Sequence, residues 1–340
     1  MAALTFGNSC LSYSGNLLKF TDPYNPLELP PYTIRLQYPD GITPTFSRGD
    51  SVQVSVSPNV WDLTTINVAP SSSRKDPVTG PEDWHRLLYE DRDVIAVLGA
   101  NSTGVTLMHY LFSGCTSLSS VVLFDTASVT NTSYMHDRNY LLSNIPSYNL
   151  SNNTNMNCMF AMCHSLTQIP MFNTSKVTSM ESTFWQTALE VMVQWDTSNV
   201  TNMEGMFSAT KHLRTVPMLN TSNVTNMSFM FACNYGTDYT LKSLPCFDTS
   251  KVTNMSNMLF GRAGLTALPN FNTDNVTNMR NTFEDCRGVD GGALSLYQRI
   301  SSQANPPTDH ANTFRNTGMD TATGLAELQQ IPASWGGKGA

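Results

Sequence analysis

The sequence predicts an α/β fold in which 24-residue units, each with one helix and one strand, stack into a solenoid behind a small N-terminal β unit. Three observations predict it. A short element recurs at a nearly fixed step, apolar positions keep the same spacing inside each unit, and the 340-residue length exceeds the roughly 100 to 200 residues of a usual domain. Stacked units give such a chain one continuous core, because each repeat buries its apolar face against the next.

The recurring element reads D/N-T-S-x-V-T-x-M. Its clear copies begin at Asn173, Asp196, Asn220, Asp248 and Asn272, and its looser copies begin at Asn101, Asp125 and Asn149. The steps between successive starts are 24, 24, 24, 23, 24, 28 and 24. A fixed period of roughly 20 to 50 residues is typical of solenoids and related arrays.

The unit 196–219 illustrates both predicted elements. Its first half carries apolar residues at i, i+3, i+6 and i+7, the spacing of one face of a short helix: Val200, Met203, Met206 and Phe207. Its second half is typical of a short strand around a proline: Leu213, Val216 and Leu219. One helix and one strand per unit of this length fall within the range of leucine-rich repeats, so the solenoid is predicted to be leucine-rich-repeat-like.

The first residue of each element is Asp or Asn, and it is predicted to cap the following helix. These structural caps are Asp125, Asn149, Asn173, Asp196, Asn220, Asp248 and Asn272. Their side-chain oxygens can accept hydrogen bonds from amides that the first helical turn leaves unpaired. A ladder of calcium ions is the alternative, but Asp and Asn alternate freely in this column, whereas a cation site depends on carboxylate charge. Capping is preferred, and no metal is expected.

Four segments are predicted along the chain. Residues 1–70 form a small N-terminal β unit for attachment or capping, and residues 71–100 form a linker and an N-terminal capping coil. The linker is the Pro/Ser/Gly-rich stretch 70–82. Residues 101–290 form the repeat array, and residues 291–340 form a C-terminal cap that shields the last coil from water.

Four local elements are predicted outside the array. Alternating apolar and polar residues indicate strands over 32–38 and 51–57, and apolar spacing indicates helices over 293–300 and 325–331. Residues 1–70 are too few and too polar to hold a broad core alone. We therefore expect them to pack on the capping coil or to form an oligomer.

Composition argues against several classes of function. Charged residues make up 13% of the chain, and 19 basic against 26 acidic residues give a net charge of −7, so no basic field is available to hold nucleic acid. No apolar run approaches the roughly 20 residues of a membrane-spanning helix. The N-terminus lacks the regions of a secretory signal, and the seven cysteines are expected to be reduced. Scattered histidines and missing catalytic motifs predict no enzyme and no cofactor.

The motif V-T-N-M-x-x-M-F, followed by L-x-x-(V/L/I)-P-x-F-(D/N)-T-S, resembles the BspA-like repeat of mycoplasma-type and gut-bacterial surface proteins. The resemblance covers about residues 77–290. It implies a leucine-rich-repeat-like solenoid used in adhesion and surface recognition, with no catalytic residues. The beginning of the chain, L-T-F-G-N-S-C-L-S-Y-S-G-N-L-L-K-F, is similar to gut-bacteriophage proteins that carry these repeats, which implies a phage-encoded member.

Departures from the repeat supply the candidate ligand contacts, because packing explains the regular positions. The unit 173–195 is one residue short and contains two tryptophans, and the unit after Met227 carries a four-residue expansion. Aromatic side chains give large contact areas at low entropic cost. The candidate contacts are Trp185, Trp195, Tyr235, Asp238 and Tyr239. The alternative, that the tryptophans fill gaps in the core, remains open.

The sequence therefore predicts a non-enzymatic recognition protein, best described as a receptor-binding or fibre-associated protein of a bacteriophage virion. Its expected partners are a host-cell surface protein or glycan and, through the N-terminal unit, virion structural proteins. Homo-oligomers are also compatible with the sequence. A bacterial cell-surface adhesin is the alternative, and a glycan-active enzyme carried on the virion is the third hypothesis.

Overall fold

The computed structural model describes Leu29, Pro44, Asp238, residues 31–42, 51–65, 83–233 and 240–339, and two short N-terminal strands. The elements in chain order are β1 (Leu11–Tyr13), β2 (Asn16–Leu18), β3 (Thr33–Gln37), β4 (Ser51–Ser57), β5 (Val60–Thr65), β6 (Ala96–Asn101), β7 (Ser120–Val121), α1 (Ala293–Ser301) and α2 (Ala322–Leu328). A short 3₁₀ helix, Ala333–Trp335, follows α2. The predicted linker at 70–82 lies outside the described residues.

A five-stranded sheet in the order β4-β5-β3-β6-β7 lies at the N-terminal end of the array. Pairing is antiparallel except between β6 and β7, which run parallel. Ile34 of β3 lies opposite Leu63 of β5 and Ala100 of β6. The strands predicted over 32–38 and 51–57 are confirmed as β3 and β4. The N-terminal strands pack on the capping coil, as expected, because β3 pairs with β6.

Ten successive coils stack along the array, and parallel β-bridges join each coil to the next. The bridge residues of consecutive coils are Asp83, Leu107, Asn131, Asn155, Ser179, Asn202, Asn226, Asn254, Asn278 and Asp309. Each coil also bonds the next through a ladder of threonine amides, as where Thr178 N–H donates to Thr154 O at 2.9 Å. The repeat period therefore corresponds to one coil of the stack.

The predicted helix-and-strand solenoid is wrong. In the described part of residues 101–290 there is no α-helix, and the extended pieces are β7 and isolated bridges. In the unit 196–219 the amides alternate between two partners. Met206, Ser208 and Thr210 bond the carbonyl three residues earlier. Met203, Gly205, Phe207 and Ala209 instead bond the next coil, donating to Asn226, Ser228, Met230 and Ala232 at 2.7–3.0 Å. An α-helix would direct all of them to the residue four positions earlier.

In most coils two positions adopt the left-handed conformation, which stops a helix. The first column contains Arg86, Tyr110, Tyr134, Cys158, Ser182, Gly205, Phe229, Asn257 and Asn281, with φ between 52° and 59°. The second lies four residues later and includes Glu90, Gly114, Arg138, Met162, Gln186, Ala209, Gly261 and Asp285. This conformation costs an L-residue roughly 1–2 kcal/mol. Amide bonds to the next coil offset the cost, as where Tyr110 N–H donates to Ser133 O at 2.9 Å.

The core runs along the stack as columns of identical repeat positions. One column stacks rings at centroid distances of 5.2–5.9 Å: Phe112, His136, Phe160, Phe184, Phe207 and Phe231. A second column contains Phe124, Tyr148, Phe172 and Trp195. Burying each aromatic ring contributes about 2 kcal/mol. The apolar positions predicted for the unit 196–219 are correct, because Val200, Met203, Met206 and Phe207 are fully buried.

The C-terminal end closes the stack with helices and a turn. The helix predicted over 293–300 is confirmed as α1, and the last helix, α2, lies three residues before the predicted 325–331. Phe314 of the last coil donates its amide to Trp335 O at 2.9 Å. Trp335 also packs on His310 with centroids 4.1 Å apart. The Trp335 ring thus covers the end of the last coil.

Candidate functional site

The seven predicted caps share one geometry. In each, the side-chain Oδ1 accepts a hydrogen bond from the amide two residues later at 2.8–3.2 Å: Asp125, Asn149, Asn173, Asp196, Asn220, Asp248 and Asn272. They close Asx turns, not helices, because no helix follows them. Asp and Asn serve equally in this role. Across the residues that the structure describes, no cluster of three or more His, Cys, Asp or Glu side chains could hold a metal.

The threonine of the same element joins coils. Thr174 is buried, and its Oγ1 donates to the carbonyl of Asp196 in the next coil at 2.7 Å. Sequence reasoning missed a second Asx column at the bridge residues, where Asn202 Oδ1 accepts from Glu204 N–H at 3.0 Å. The signal was the asparagine of V-T-N-M, which recurs with the same period. The D-T-S and V-T-N motifs are therefore structural.

Trp195 is not a ligand contact. Its side chain is 1% exposed and lies against Phe172 and Phe184, with centroids 5.3 and 5.5 Å away. Its indole N–H donates to the carbonyl of Pro170 at 3.2 Å, which satisfies the one polar atom of the ring. The gap-filling alternative holds for this residue. Trp185 is half-buried and stays a predicted contact.

Asp238 is not a ligand contact either, because it is buried and paired with Arg262. Arg262 is fully buried, and its guanidinium also donates to Phe207 O at 3.2 Å and to Thr210 O at 3.3 Å. Asp238 Oδ1 accepts from Thr240 N–H at 2.9 Å. The ion pair anchors the end of the four-residue expansion. The predicted contacts Tyr235 and Tyr239 lie outside the described residues.

An exposed cluster of rings and cations lies over the first coils, and we call it the Arg–Tyr cluster: Arg86, Tyr89, Tyr110, Tyr134 and Arg138. The Arg86 guanidinium lies 5.4 Å from the Tyr89 ring centroid and 5.0 Å from that of Tyr110. Tyr110 stacks on Tyr134 with centroids 4.4 Å apart and planes 5° from parallel. Arg86 and Tyr89 are exposed, whereas the other three are half-buried.

The fold explains this cluster. Arg86, Tyr110 and Tyr134 occupy the first left-handed column of consecutive coils, one repeat period apart, so their side chains stack along one face. Tyr89 lies three residues after Arg86, and its ring meets Tyr110 edge-on at 6.0 Å. The sequence pattern does not reveal the cluster, because the segment 71–100 lacks the D/N-T-S element that defines the repeat. The regular spacing of Arg86, Tyr110 and Tyr134, which matches the repeat period, was the available signal.

The pKa values of Tyr110 and Tyr134 are raised, which keeps these two phenols neutral at physiological pH. Burial raises the pKa of Tyr110, although the Arg86 charge opposes the shift. A hydrogen bond with the Cys158 side chain, together with burial, raises the pKa of Tyr134. Burial also raises the pKa of Asp137, whose Oδ2 accepts from Arg138 Nε at 3.0 Å. The cluster therefore combines guanidinium groups with aromatic faces on the surface of the first coils.

A group of hydrogen-bonded side chains around His136 is fully buried. His136 replaces phenylalanine in the ring column, and its Nδ1 and Nε2 lie 3.0 Å from Asn139 Oδ1 and 3.1 Å from the Tyr148 hydroxyl. Asn139 Nδ2 donates to Phe112 O at 2.7 Å, so its Oδ1 is the acceptor for His136 Nδ1–H. Burial lowers the pKa of His136 to about 4, which keeps the imidazole neutral at physiological pH.

The described cysteines are all free thiols: Cys115, Cys158, Cys163, Cys233, Cys246 and Cys286. Five of them are buried. Burial raises the pKa of Cys158 to about 11 and raises that of Cys115 further above its ordinary value. Thiols with raised pKa values are poor nucleophiles, so the buried cysteines act as packed core residues.

Two surface hollows of about 400 Å³ lie on the stack. One lies at the Asx-turn corner between Gln194–Thr197 and Met218–Asn220, where Met218 is exposed. The other lies at the opposite turn and is lined by His164, Gln186, Thr187, Ala188, Ala209, Lys211 and His212. Over the described residues, no helix is both long and apolar enough to cross a membrane.

Fold and surface together define a repeat protein of stacked turn-and-bridge coils that carries an exposed Arg–Tyr cluster. The chain belongs to the family described as Mycoplasma protein of unknown function, DUF285, whose model matches residues 93–190 and 187–297, more than half of its length. This is the BspA-like repeat family, so the resemblance of the V-T-N-M-x-x-M-F motif is confirmed at the level of the family. No curated protein and no solved structure matches the chain.

Proposed function

We propose that this protein is a non-enzymatic recognition protein that presents the Arg–Tyr cluster to a host-cell surface. The observation that carries the proposal is the cation–π geometry of Arg86 over two tyrosine rings on an exposed face. Tyrosine and arginine are enriched at the energetic centres of interfaces, because they combine apolar area with hydrogen-bonding groups. The rigid coil beneath them fixes their orientation and lowers the entropic cost of binding.

The finer proposal is that the protein is a receptor-binding or fibre-associated component of a bacteriophage virion. Its support is the similarity of the N-terminal segment to gut-phage proteins that carry these repeats. In this proposal the N-terminal unit contacts virion structural proteins, and the array contacts a host protein or glycan. A bacterial cell-surface adhesin of the same family is the alternative.

Adsorption of labelled protein to a panel of gut bacteria tests the recognition role. Tyr89→Ala and Tyr110→Ala should each weaken cell binding by about 1–3 kcal/mol, the range of an interface hot spot. Phe229→Ala is the matched control, because Phe229 occupies the same repeat position as Tyr110 and is 43% exposed. Equal binding by the wild type, the tyrosine variants and the control would remove the cluster from the proposal.

The location of the protein is tested separately. Quantitative mass spectrometry of purified phage particles and of bacterial envelopes should detect it in particles if the virion proposal holds. Recovery from envelopes alone would favour the adhesin alternative. Release of sugars from host polysaccharide by the purified protein would contradict a non-enzymatic role and favour a virion-borne glycan-active enzyme.

A further inference from the structure

The unit 173–195 is one residue short, and the turn that lacks this residue forms the floor of a surface hollow. In the neighbouring coils the corresponding turn spans four residues, Cys163–Leu166 and Thr210–Leu213, each ending in a buried leucine. In the short unit it spans three, Thr187–Leu189, and Leu189 is still buried. Because both ends of the turn stay in the core columns, the deletion shortens the turn itself. The surface is therefore recessed between two regular coils.

The recess is the hollow of about 400 Å³ described above, and we call it the notch. Gln186, Thr187 and Ala188 come from the shortened unit. His164 belongs to the preceding coil, and Lys211 and His212 belong to the following one; all three are exposed. A volume of this size lies within the range of small-ligand sites.

The walls of the notch are held by contacts outside it. His164 stacks on Tyr140 with centroids 4.9 Å apart. The carbonyl of Lys211 accepts a hydrogen bond from Thr240 Oγ1 at 2.9 Å, which fixes the backbone that carries the ammonium group. Thr187 Oγ1 donates to Phe184 O at 3.0 Å, so its hydrogen is used within the floor of the notch. The side chains of Lys211 and both histidines are exposed, and that of Gln186 is half-buried.

We propose that the notch binds an anionic group of a surface glycan, a carboxylate or a phosphate. The inference rests on the proposed recognition function and names the ligand class for a second contact site. The described lining residues offer an ammonium, two imidazoles and an amide, and they include no carboxylate. The notch thus has one positive charge and no lining carboxylate in a chain whose net charge is −7, and donors around a small hollow suit an oxyanion.

Titration calorimetry on the full chain tests the notch with three probes: glucuronate for the carboxylate, glycerol phosphate for the phosphate, and galactose as the neutral sugar. We expect one or both anions to bind at low ionic strength and galactose not to bind. Lys211→Met should weaken anion binding about tenfold, since it removes a charged hydrogen-bond donor. Lys242→Met is the matched control, because Lys242 is exposed but does not line the notch.

Two further variants test the geometry. Inserting one serine between Thr187 and Ala188 restores the regular length of the unit and should abolish anion binding. Ala188→Leu fills the floor without changing chain length, and it covers the case in which the insertion fails to fold. The proposal is overturned if neither anion binds, if galactose binds equally, or if Lys242→Met weakens binding as much as Lys211→Met.

The cell-adsorption assay separates this proposal from the recognition function. Loss of anion binding in Lys211→Met with unchanged adsorption leaves the notch as an anion site and assigns cell recognition to the Arg–Tyr cluster. If the wild-type chain adsorbs to cells but binds neither anion, only the proposal that the notch binds an anion is contradicted. If the chain binds an anion in the notch but adsorbs to no bacterium, the anion-site proposal stands and the proposed recognition function is contradicted.

Discussion

Acidification should destabilise the array through His136, the histidine inside the phenylalanine column. Burial holds its pKa at about 4 in the folded chain, against an ordinary value of 6.5. The unfolded chain therefore binds a proton at a pH where the folded chain does not. The stability that the neutral imidazole supports is fully present above pH 6.5 and is lost as the pH falls from 6.5 towards 4. The loss should reach about 2–3 kcal/mol by pH 4.5.

Thermal melting followed by circular dichroism at pH 7.5 and pH 4.5 measures this effect. If the array melts as one unit, the His136 contribution corresponds to a fall in Tm of about 5 °C. Carboxylates with raised pKa values, such as Asp137 and Glu181, act in the opposite direction, because protonation favours the folded state for them. The informative quantity is therefore the difference in pH dependence between the wild type and His136→Phe.

His136→Phe completes the ring column and removes the titrating group. It also leaves Asn139 Oδ1 and the Tyr148 hydroxyl with one partner fewer, so its absolute stability is not the readout. The fall in Tm between the two pH values should be about 5 °C smaller in this variant than in the wild type. His212→Gln, at an exposed site, should keep the full fall. An unchanged fall in His136→Phe would refute the reasoning.

Three other substitutions follow from the same contacts. Asp196→Asn should be nearly silent, whereas Asp196→Ala should cost about 1 kcal/mol in denaturant titrations, because only Ala loses the bond to Ser198 N–H at 3.0 Å; equal losses would indicate a role for the charge. Arg262→Met should cost about 3–5 kcal/mol because it leaves Asp238 buried without its cation, and Asp238→Asn in the same chain should recover part of the loss. Gly205→Val should lower the Tm because its φ of 59° disfavours a β-branched residue, while Gly205→Asn should be tolerated.

Burial could be predicted from the sequence, but the backbone path could not. The spacing of Val200, Met203 and Met206 identifies the buried face correctly, because turns closed every three residues give nearly the same apolar period as a helix. Hydrophobic periodicity indicates which side chains are buried, but it does not indicate which carbonyl each backbone amide bonds. Glycine and asparagine at two fixed positions, as at Gly205 in the first column and Gly261 in the second, were the available signal for left-handed residues that a helix would exclude.

The candidate contacts show a similar division. The shortened unit that the repeat pattern singles out carries the turn Thr187–Leu189, which forms part of the notch. Departures from the repeat did not distinguish a ring that fills the core, such as Trp195, from one on the surface, because both have polar sequence neighbours. Asp238 was assigned to a loop surface, yet its partner Arg262 lies one repeat further along the chain, in the next coil. Pairings between coils depend on register, which a single unit does not reveal.

The amide rungs between coils also determine how the molecule responds to tension. They run from one coil to the next, so a force that pulls the two ends of the array apart acts along their length. All the rungs carry the same load, and a terminal coil detaches first because it is bonded to a neighbouring coil on one side only. Each detached coil releases one repeat of the chain, about 80 Å when it is fully extended. A protein of this build would yield to a tether one coil at a time and lengthen several-fold before its last coil separates.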